Sequence, residues 1–356
     1  MTRRKGAAAA RPEVRAFQAY TLSPQELPEL RAKLDFNESP FDVPAALKET
    51  VLSRLSKRRW ADYPEFGASR LTAALSRATG RPAAEIVVGN GSGELLMAAI
   101  SVFAGGGTLL LSPPTFSLYR QLAVLSGARL REVPRRPPDF ALDEAAFLQA
   151  ASEGAVPLVC SPNNPTGGTV SQRFVKELAG LSGVVLADQA YVDFGEKEDD
   201  VLPLVDEVEN LIVFRTLSKA YSAAGFRIGY AVARADVATE LRKAVLPFSV
   251  DLAAEELAVA LLDAPEFSRR SVETVRSNRE GLAGALRALG AAVAPSRANF
   301  LFFAFPGRDG KRIASALARR GVLVRELSSA AEGYLRVTVG GSDENRIFLE
   351  ALKESL

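Results

Sequence analysis

Between about residue 45 and residue 244, short apolar runs alternate with stretches whose apolar residues recur at helical spacing. The runs at 85–89, 108–111, 156–160, 184–187, 211–214 and 228–232 are Leu-rich or β-branched and show no clear inside–outside alternation. Strands covered on both faces have this pattern, as in a parallel sheet with helices above and below. Residues 94–103 read as an apolar helix closed by Gly105, Gly106 and Gly107, and residues 170–181 read as one of the crossover helices. The texture changes after Leu246 and Pro247. A helical region rich in Ala, Leu, Glu and Arg covers roughly 252–289, strands are expected at 300–305, 322–324 and 334–339, and a helix at 311–320. The expected fold class is α/β: a large domain over 45–245, built on a mostly parallel sheet flanked by helices, and a smaller α+β domain over 246–356. An N-terminal arm, 1–44, is expected to join the smaller domain.

Composition narrows the chemistry. The 356 residues are 47% hydrophobic and 24% charged with a net charge of +2, as in an ordinary globular protein. No uncharged apolar run is long enough to span a bilayer, and the basic, Ala-rich start lacks the apolar core of a secretory signal, so a cytoplasmic location is expected. No basic stripe with interleaved aromatics suggests a nucleic acid. The chain has no histidine and one cysteine, Cys160, which excludes a Ser-His-Asp triad, a Cys-His dyad, a His-ligated zinc and an internal disulfide. No metal site is expected. Acid–base work falls to Lys, Asp, Glu, Tyr or a cofactor.

Ligands of open parallel sheets bind beyond the carboxyl ends of the strands, and four polar clusters fall there. Gly89-Asn90-Gly91-Ser92-Gly93-Glu94 joins a strand to a helix, where glycines and free N–H groups suit a phosphate, although a plain tight turn reads as well. Its spacing fits neither common nucleotide-binding loop. Ser161-Pro162-Asn163-Asn164-Pro165-Thr166-Gly167-Gly168 is a rigid turn whose Asn amides could also donate to a ligand. Asp188 ends a strand and is followed by Gln189-Ala190-Tyr191; it either caps the next element or faces a partner charge. Thr216-Leu217-Ser218-Lys219 ends another strand, with Arg227 eight residues beyond the lysine. Such a lysine is either a surface charge or a desolvated amine nucleophile.

Taken in order, Asn-Pro-Thr-Gly, Asp-x-Ala-Tyr and Ser-Lys with the trailing Arg resemble the fold-type I pyridoxal-phosphate (PLP) aminotransferases over nearly the whole chain. Within that family the chain is most similar to the histidinol-phosphate aminotransferases, through Leu34-Asp35-Phe36-Asn37-Glu38-Ser39-Pro40, Asp62-Tyr63-Pro64-Glu65, Pro113-Pro114-Thr115-Phe116, Ser161 to Gly167, Leu217 to Tyr221 and Leu335-Arg336-Val337-Thr338-Val339-Gly340.

The resemblance implies pyridoxal 5'-phosphate as cofactor. Lys219 would hold it as a Schiff base and shuttle the substrate proton, and Asp188 would pair with the ring nitrogen. Asn164 and Tyr191 would bond the phenolic oxygen, Phe116 would stack on the ring, and Ser92, Gly93, Thr216, Ser218 and Arg227 would hold the phosphate. Tyr63 would reach the phosphate of a neighbouring subunit, which implies a homodimer with shared sites. Arg336, with Arg325 and Tyr20, would take the substrate's carboxylate or phosphate, and Asn37 and Asn164 would also face substrate. The implied reaction moves the amino group of L-histidinol phosphate to 2-oxoglutarate. Transamination of aromatic amino acids, decarboxylation of phosphothreonine, and a PLP-binding regulator without turnover are the alternatives. Two departures stand out: Gly93 where the family often has an acid, and Phe116 where tyrosine is usual.

Overall fold

The structure is a computed structural model and describes residues 10–16 and 29–356. Among the described residues, twelve strands form two sheets: β1 (Ala32–Leu34), β2 (Ile86–Asn90), β3 (Thr108–Leu111), β4 (Arg129–Glu132), β5 (Val156–Cys160), β6 (Val185–Asp188), β7 (Leu211–Thr216), β8 (Ile228–Val232), β9 (Ala292–Val293), β10 (Phe300–Ala304), β11 (Val322–Glu326) and β12 (Leu335–Thr338). The larger sheet has the order β2-β8-β7-β6-β5-β3-β4. Pairings from β7 through β4 are parallel, and β8 alone runs against its neighbours β2 and β7. The mostly parallel sheet expected from the sequence is therefore present.

Both faces of this sheet are covered, which explains the uninterrupted apolar runs. Val88, Leu110, Val159, Val185, Val213 and Val232 enter one core, while Val87, Leu109, Leu158, Leu186, Ile212 and Ala231 enter the other. Successive residues thus bury opposite faces of each strand. The first core continues into Ala254, Leu257, Ala258 and Leu261 of the helix Leu252–Asp263, so its packing runs well past residue 246. The helical region expected over 252–289 is two helices, Leu252–Asp263 and Pro265–Ala288, separated at Ala264. Pro265 stands in the first turn of the second helix, where its missing N–H costs nothing.

The smaller sheet has the order β1-β11-β12-β10-β9 and is antiparallel except for β1, which pairs in parallel with β11 through Ala32–Val322 and Leu34–Val324. Its core takes Val275, Leu282 and Leu286 from the helix Pro265–Ala288 and Phe348 and Leu352 from Ser342–Lys353. Tyr191, Phe194 and Ala220 belong to the same cluster, so the polar ends of β6 and β7 lie where the two sheets' packing meets.

Candidate active site

The clusters expected at strand ends converge at one end of the larger sheet. β2, β5, β6 and β7 run out into them and β8 begins beside them, because β8 is antiparallel.

The helix after β2 starts at Gly91 rather than at residue 94, so Ser92 and Gly93 occupy its first turn. First-turn N–H groups have no partner within a helix and carry its positive end. Glu94 accepts the Asn90 N–H (2.6 Å), and Ser92 and Gly93 contribute first-turn N–H groups of the helix. Two glycines allow the approach. Gly91 has φ +75°, and a Cβ on it would strike the Arg227 guanidinium. A Cβ on Gly229 would be driven into the backbone N of Ser92. Arg227, itself left-handed at φ 53°, donates to the Ser218 hydroxyl (3.3 Å), which lies 2.9 Å from Thr216 Oγ1. Two N–H groups, two hydroxyls and one guanidinium thus converge, a donor set suited to a phosphate.

Asp188, at the end of β6, is 3% exposed. Burial raises its carboxyl pKa, opposed by hydrogen bonds from Tyr119 and the Ala190 N–H. The Tyr119 hydroxyl donates to Oδ2 at 2.6 Å and the Ala190 N–H to Oδ1 at 3.0 Å. Tyr119 meets Phe116 edge to face, with centroids 5.5 Å apart.

Lys219, just past β7, is partly buried and donates to the Phe36 carbonyl (3.0 Å). Burial, then the charge of Arg336, pushes its ammonium pKa down to about 7; Arg227 and Lys33 act the same way against Glu38. An amine with that pKa is substantially unprotonated at neutral pH, as a nucleophile toward a carbonyl requires. Its Nζ lies 5.8 Å from the centroid of Tyr191. The buried Tyr191 hydroxyl accepts from Asn37 Nδ2 (3.1 Å) and Asn164 Nδ2 (3.3 Å), and burial pushes its pKa up to about 12.

Arg336, on β12, donates to Asn164 Oδ1 (2.6 Å) and to the Asp35 carbonyl (2.5 Å), and its guanidinium sits 5.5 Å from the Phe300 ring. Arg325, on β11, is its register partner, and directly opposed residues of an antiparallel pair point to the same face. Asn37 holds left-handed backbone at φ 54°, and its side chain also meets Thr338 Oγ1 (3.3 Å). Both ends of that amide are engaged inside the protein.

Of the residues singled out in the sequence, Lys219, Asp188, Asn164, Tyr191, Asn37, Arg336, Phe116, Ser92, Gly93, Thr216, Ser218 and Arg227 gather here. Tyr63 does not: it is 81% exposed, stacks on Phe248 (4.7 Å) and makes no hydrogen bond among the described residues. Tyr20 lies outside the described residues. Tyr119, Thr338 and Phe300 were not singled out. Only the fold brings Tyr119 to Asp188, Thr338 to Asn37 and Phe300 to Arg336.

A desolvated lysine at a strand end, a buried carboxylate and a cluster of N–H, hydroxyl and guanidinium donors at the carboxyl edge of a doubly covered sheet are the groups that an enzyme binding a phosphorylated carbonyl compound needs. The chain belongs to the aminotransferase class I and II family, whose model matches residues 32–352. It is 36% identical to a histidinol-phosphate aminotransferase of Thermococcus kodakarensis, with 97% of each chain covered. It is 37% identical to one of Chlorobium luteolum, again over 97% of each. Among solved structures, the histidinol-phosphate aminotransferase of Sinorhizobium meliloti in complex with pyridoxal-5'-phosphate superposes with a TM-score of 0.86, covering 99% of this chain and 98% of that one. At 22% identity that likeness speaks to the fold.

Proposed function

We propose that this aminotransferase uses pyridoxal 5'-phosphate to move the amino group of L-histidinol phosphate to 2-oxoglutarate, giving imidazole acetol phosphate and glutamate in histidine biosynthesis. The observation that carries the substrate is the register pair Arg325–Arg336, which sets two guanidinium-bearing positions side by side next to Asn164. The full-length likeness to histidinol-phosphate aminotransferases supports the same reading.

The donor set fits the cofactor. Ser92, Gly93, Thr216, Ser218 and Arg227 would hold its phosphate, Phe116 would cover its ring, and Asn164 and Tyr191 would bond its phenolic oxygen. Asp188, kept from water, would hold a proton on the ring nitrogen. When bound, the cofactor supplies an electron sink for the charge that develops at the substrate's Cα. Lys219 would anchor the cofactor through Nζ, and the same Nζ, once released, would take the proton from the substrate's Cα. Asn37 would serve substrate and cofactor through Tyr191, whose hydroxyl it orients. Arg336 would meet glutamate's α-carboxylate in one half-reaction and the substrate phosphate in the other, with Arg325 and Tyr20 assisting in the second.

The chain is further proposed to act as a cytoplasmic homodimer in which Tyr63 serves the partner's site. No helix among the described residues is long and apolar enough to cross a membrane. Each subunit is proposed to comprise the arm, a large domain and a small domain. These are proposed at the bounds 1–44, 45–245 and 246–356, with the helix Leu252–Asp263 of the small domain packing on the larger sheet's core.

The test is kcat/KM for histidinol phosphate, histidinol, phenylalanine and phosphothreonine. Arg325→Ala should cost about ten- to hundredfold for histidinol phosphate, as expected for one lost charge-assisted hydrogen bond, and much less for histidinol. Arg336→Ala should impair both half-reactions. A wild type with no preference for the phosphorylated amine would overturn the substrate. Borohydride should fix the cofactor to the Lys219 peptide, and label on any other lysine would overturn the anchor.

A further inference from the structure

We propose that Tyr119 is a positioning residue that sets the charge and orientation of Asp188, and through it the proton on the cofactor's ring nitrogen. This rests on the cofactor reading above. Asp188 is held by two donors, and the Ala190 N–H is backbone, which leaves the Tyr119 hydroxyl as the one side-chain donor to the carboxylate among the described residues. At 2.6 Å with both partners buried, that bond is short and shielded from water. Hydrogen bonds to a carboxylate in such surroundings stabilise its anion against the burial that favours the neutral acid. Burial also pushes the Tyr119 phenol well above its ordinary pKa, so it remains a donor across the working range of pH.

Geometry gives the tyrosine its second role. Tyr119 has no exposed surface and stands in the first turn of the helix Leu118–Ser126, edge-on to Phe116. It therefore ties the segment that would cover the cofactor's ring to the strand end that would grip the ring nitrogen, 69 residues along the chain. Asp188 Oδ2 is fixed by the phenol and Oδ1 by Ala190, so the carboxylate has one orientation. An Asp188 stripped of the phenol donor is a stronger base and draws the shared proton away from the ring nitrogen. The ring then carries less positive charge and accepts electron density from Cα less readily.

Tyr119→Phe removes one oxygen and keeps the ring that packs on Phe116. In the PLP-loaded variant, the pH midpoint of the cofactor's visible absorption change should move up by roughly half a unit or more, because a less positive ring leaves the linkage to Lys219 easier to protonate. kcat should fall about tenfold with KM changed less than about twofold, since the effect lies in the chemical step and not in substrate contacts. In an Asp188→Asn background the same substitution should shift the midpoint little further, because the tyrosine acts through the carboxylate. A wild-type protein that holds PLP on Lys219, beside a Tyr119→Phe variant with unchanged midpoint and kcat, overturns the role of Tyr119 alone. Equal shifts in the wild-type and Asp188→Asn backgrounds overturn it as well. A wild-type protein that takes no PLP on Lys219 instead overturns the cofactor reading.

Discussion

Lys219 shows how one residue's surroundings create its chemistry. An exposed lysine keeps its proton to about pH 10.5; here burial and the nearby Arg336 charge bring it to about 7. That shift has a stability signature in the cofactor-free protein. Below pH 7 both folded and unfolded chains hold the proton, and the folded state bears the full cost of a buried charge. Between pH 7 and about 10.5 the unfolded chain alone stays protonated, so this group's contribution to stability rises with pH across that window. Lys219→Met should therefore raise the melting temperature of the apoprotein most below pH 7, and the gain should shrink toward pH 10. Melting curves of both proteins from pH 6 to 10 measure it, and a gain that grows with pH would contradict the buried ammonium. The lysine itself could be picked out from Ser218-Lys219 at a strand end, but its partners could not. Phe36 lies 183 residues away and Arg336 is on the other sheet, so the environment that lowers the pKa is a product of the fold.

At the scale of elements, the central strands were readable because both of their faces are buried, and strands covered on both sides advertise themselves as unbroken apolar runs. The strands that escaped notice are short or lie at edges. β4, Arg-Leu-Arg-Glu, sits at one end of the larger sheet with Arg129 and Leu130 exposed and Arg131 and Glu132 partly buried, while β1 and β9 are three and two residues long. Likewise the start of the helix at Gly91 was hidden, because glycines argue for a loop; here they permit close packing instead. Gly229 on β8 is the clearest case. Since an added Cβ would meet the backbone of Gly91 and Ser92 rather than a movable side chain, Gly229→Ala must push β8 and the helix Gly91–Ala99 apart. The expected outcome is a loss of about 1–3 kcal/mol of stability, as for overpacking elsewhere. Retention of PLP should weaken about tenfold, since the N–H groups of Ser92 and Gly93 move with the helix. Denaturant titration and equilibrium dialysis of the cofactor measure the two effects. Stability lost with cofactor affinity intact would separate this glycine from the phosphate cradle.

On the scale of the whole molecule, the unexplained feature is an apolar surface. Trp60, Tyr63, Phe66 and Leu246 are each 70% exposed or more, Phe248 is 40% exposed, and Tyr63 and Phe66 both contact Phe248. Three exposed aromatics in contact, Tyr63, Phe66 and Phe248, are unusual for a surface that meets only water. A second copy of the chain covering the patch would account for it, and would also explain why Tyr63 stands apart from the phosphate donors of its own subunit. The decisive experiment uses two defective subunits. A Lys219→Ala chain keeps Tyr63 but cannot anchor the cofactor, and a Tyr63→Phe chain keeps Lys219 but should hold PLP about ten- to hundredfold more weakly for want of one hydrogen bond to the phosphate. If each site takes Lys219 from one subunit and Tyr63 from the other, every hybrid dimer contains one complete site and one with neither group. Refolding the two chains together should then give more activity at limiting PLP than the separate preparations supply in total. If both residues serve the same subunit, no hybrid contains a complete site and the mixture can do no better than its parents. A sum without gain, or an active enzyme that sediments as a monomer at assay concentration, would remove Tyr63 from the site and leave the aromatic surface to another partner.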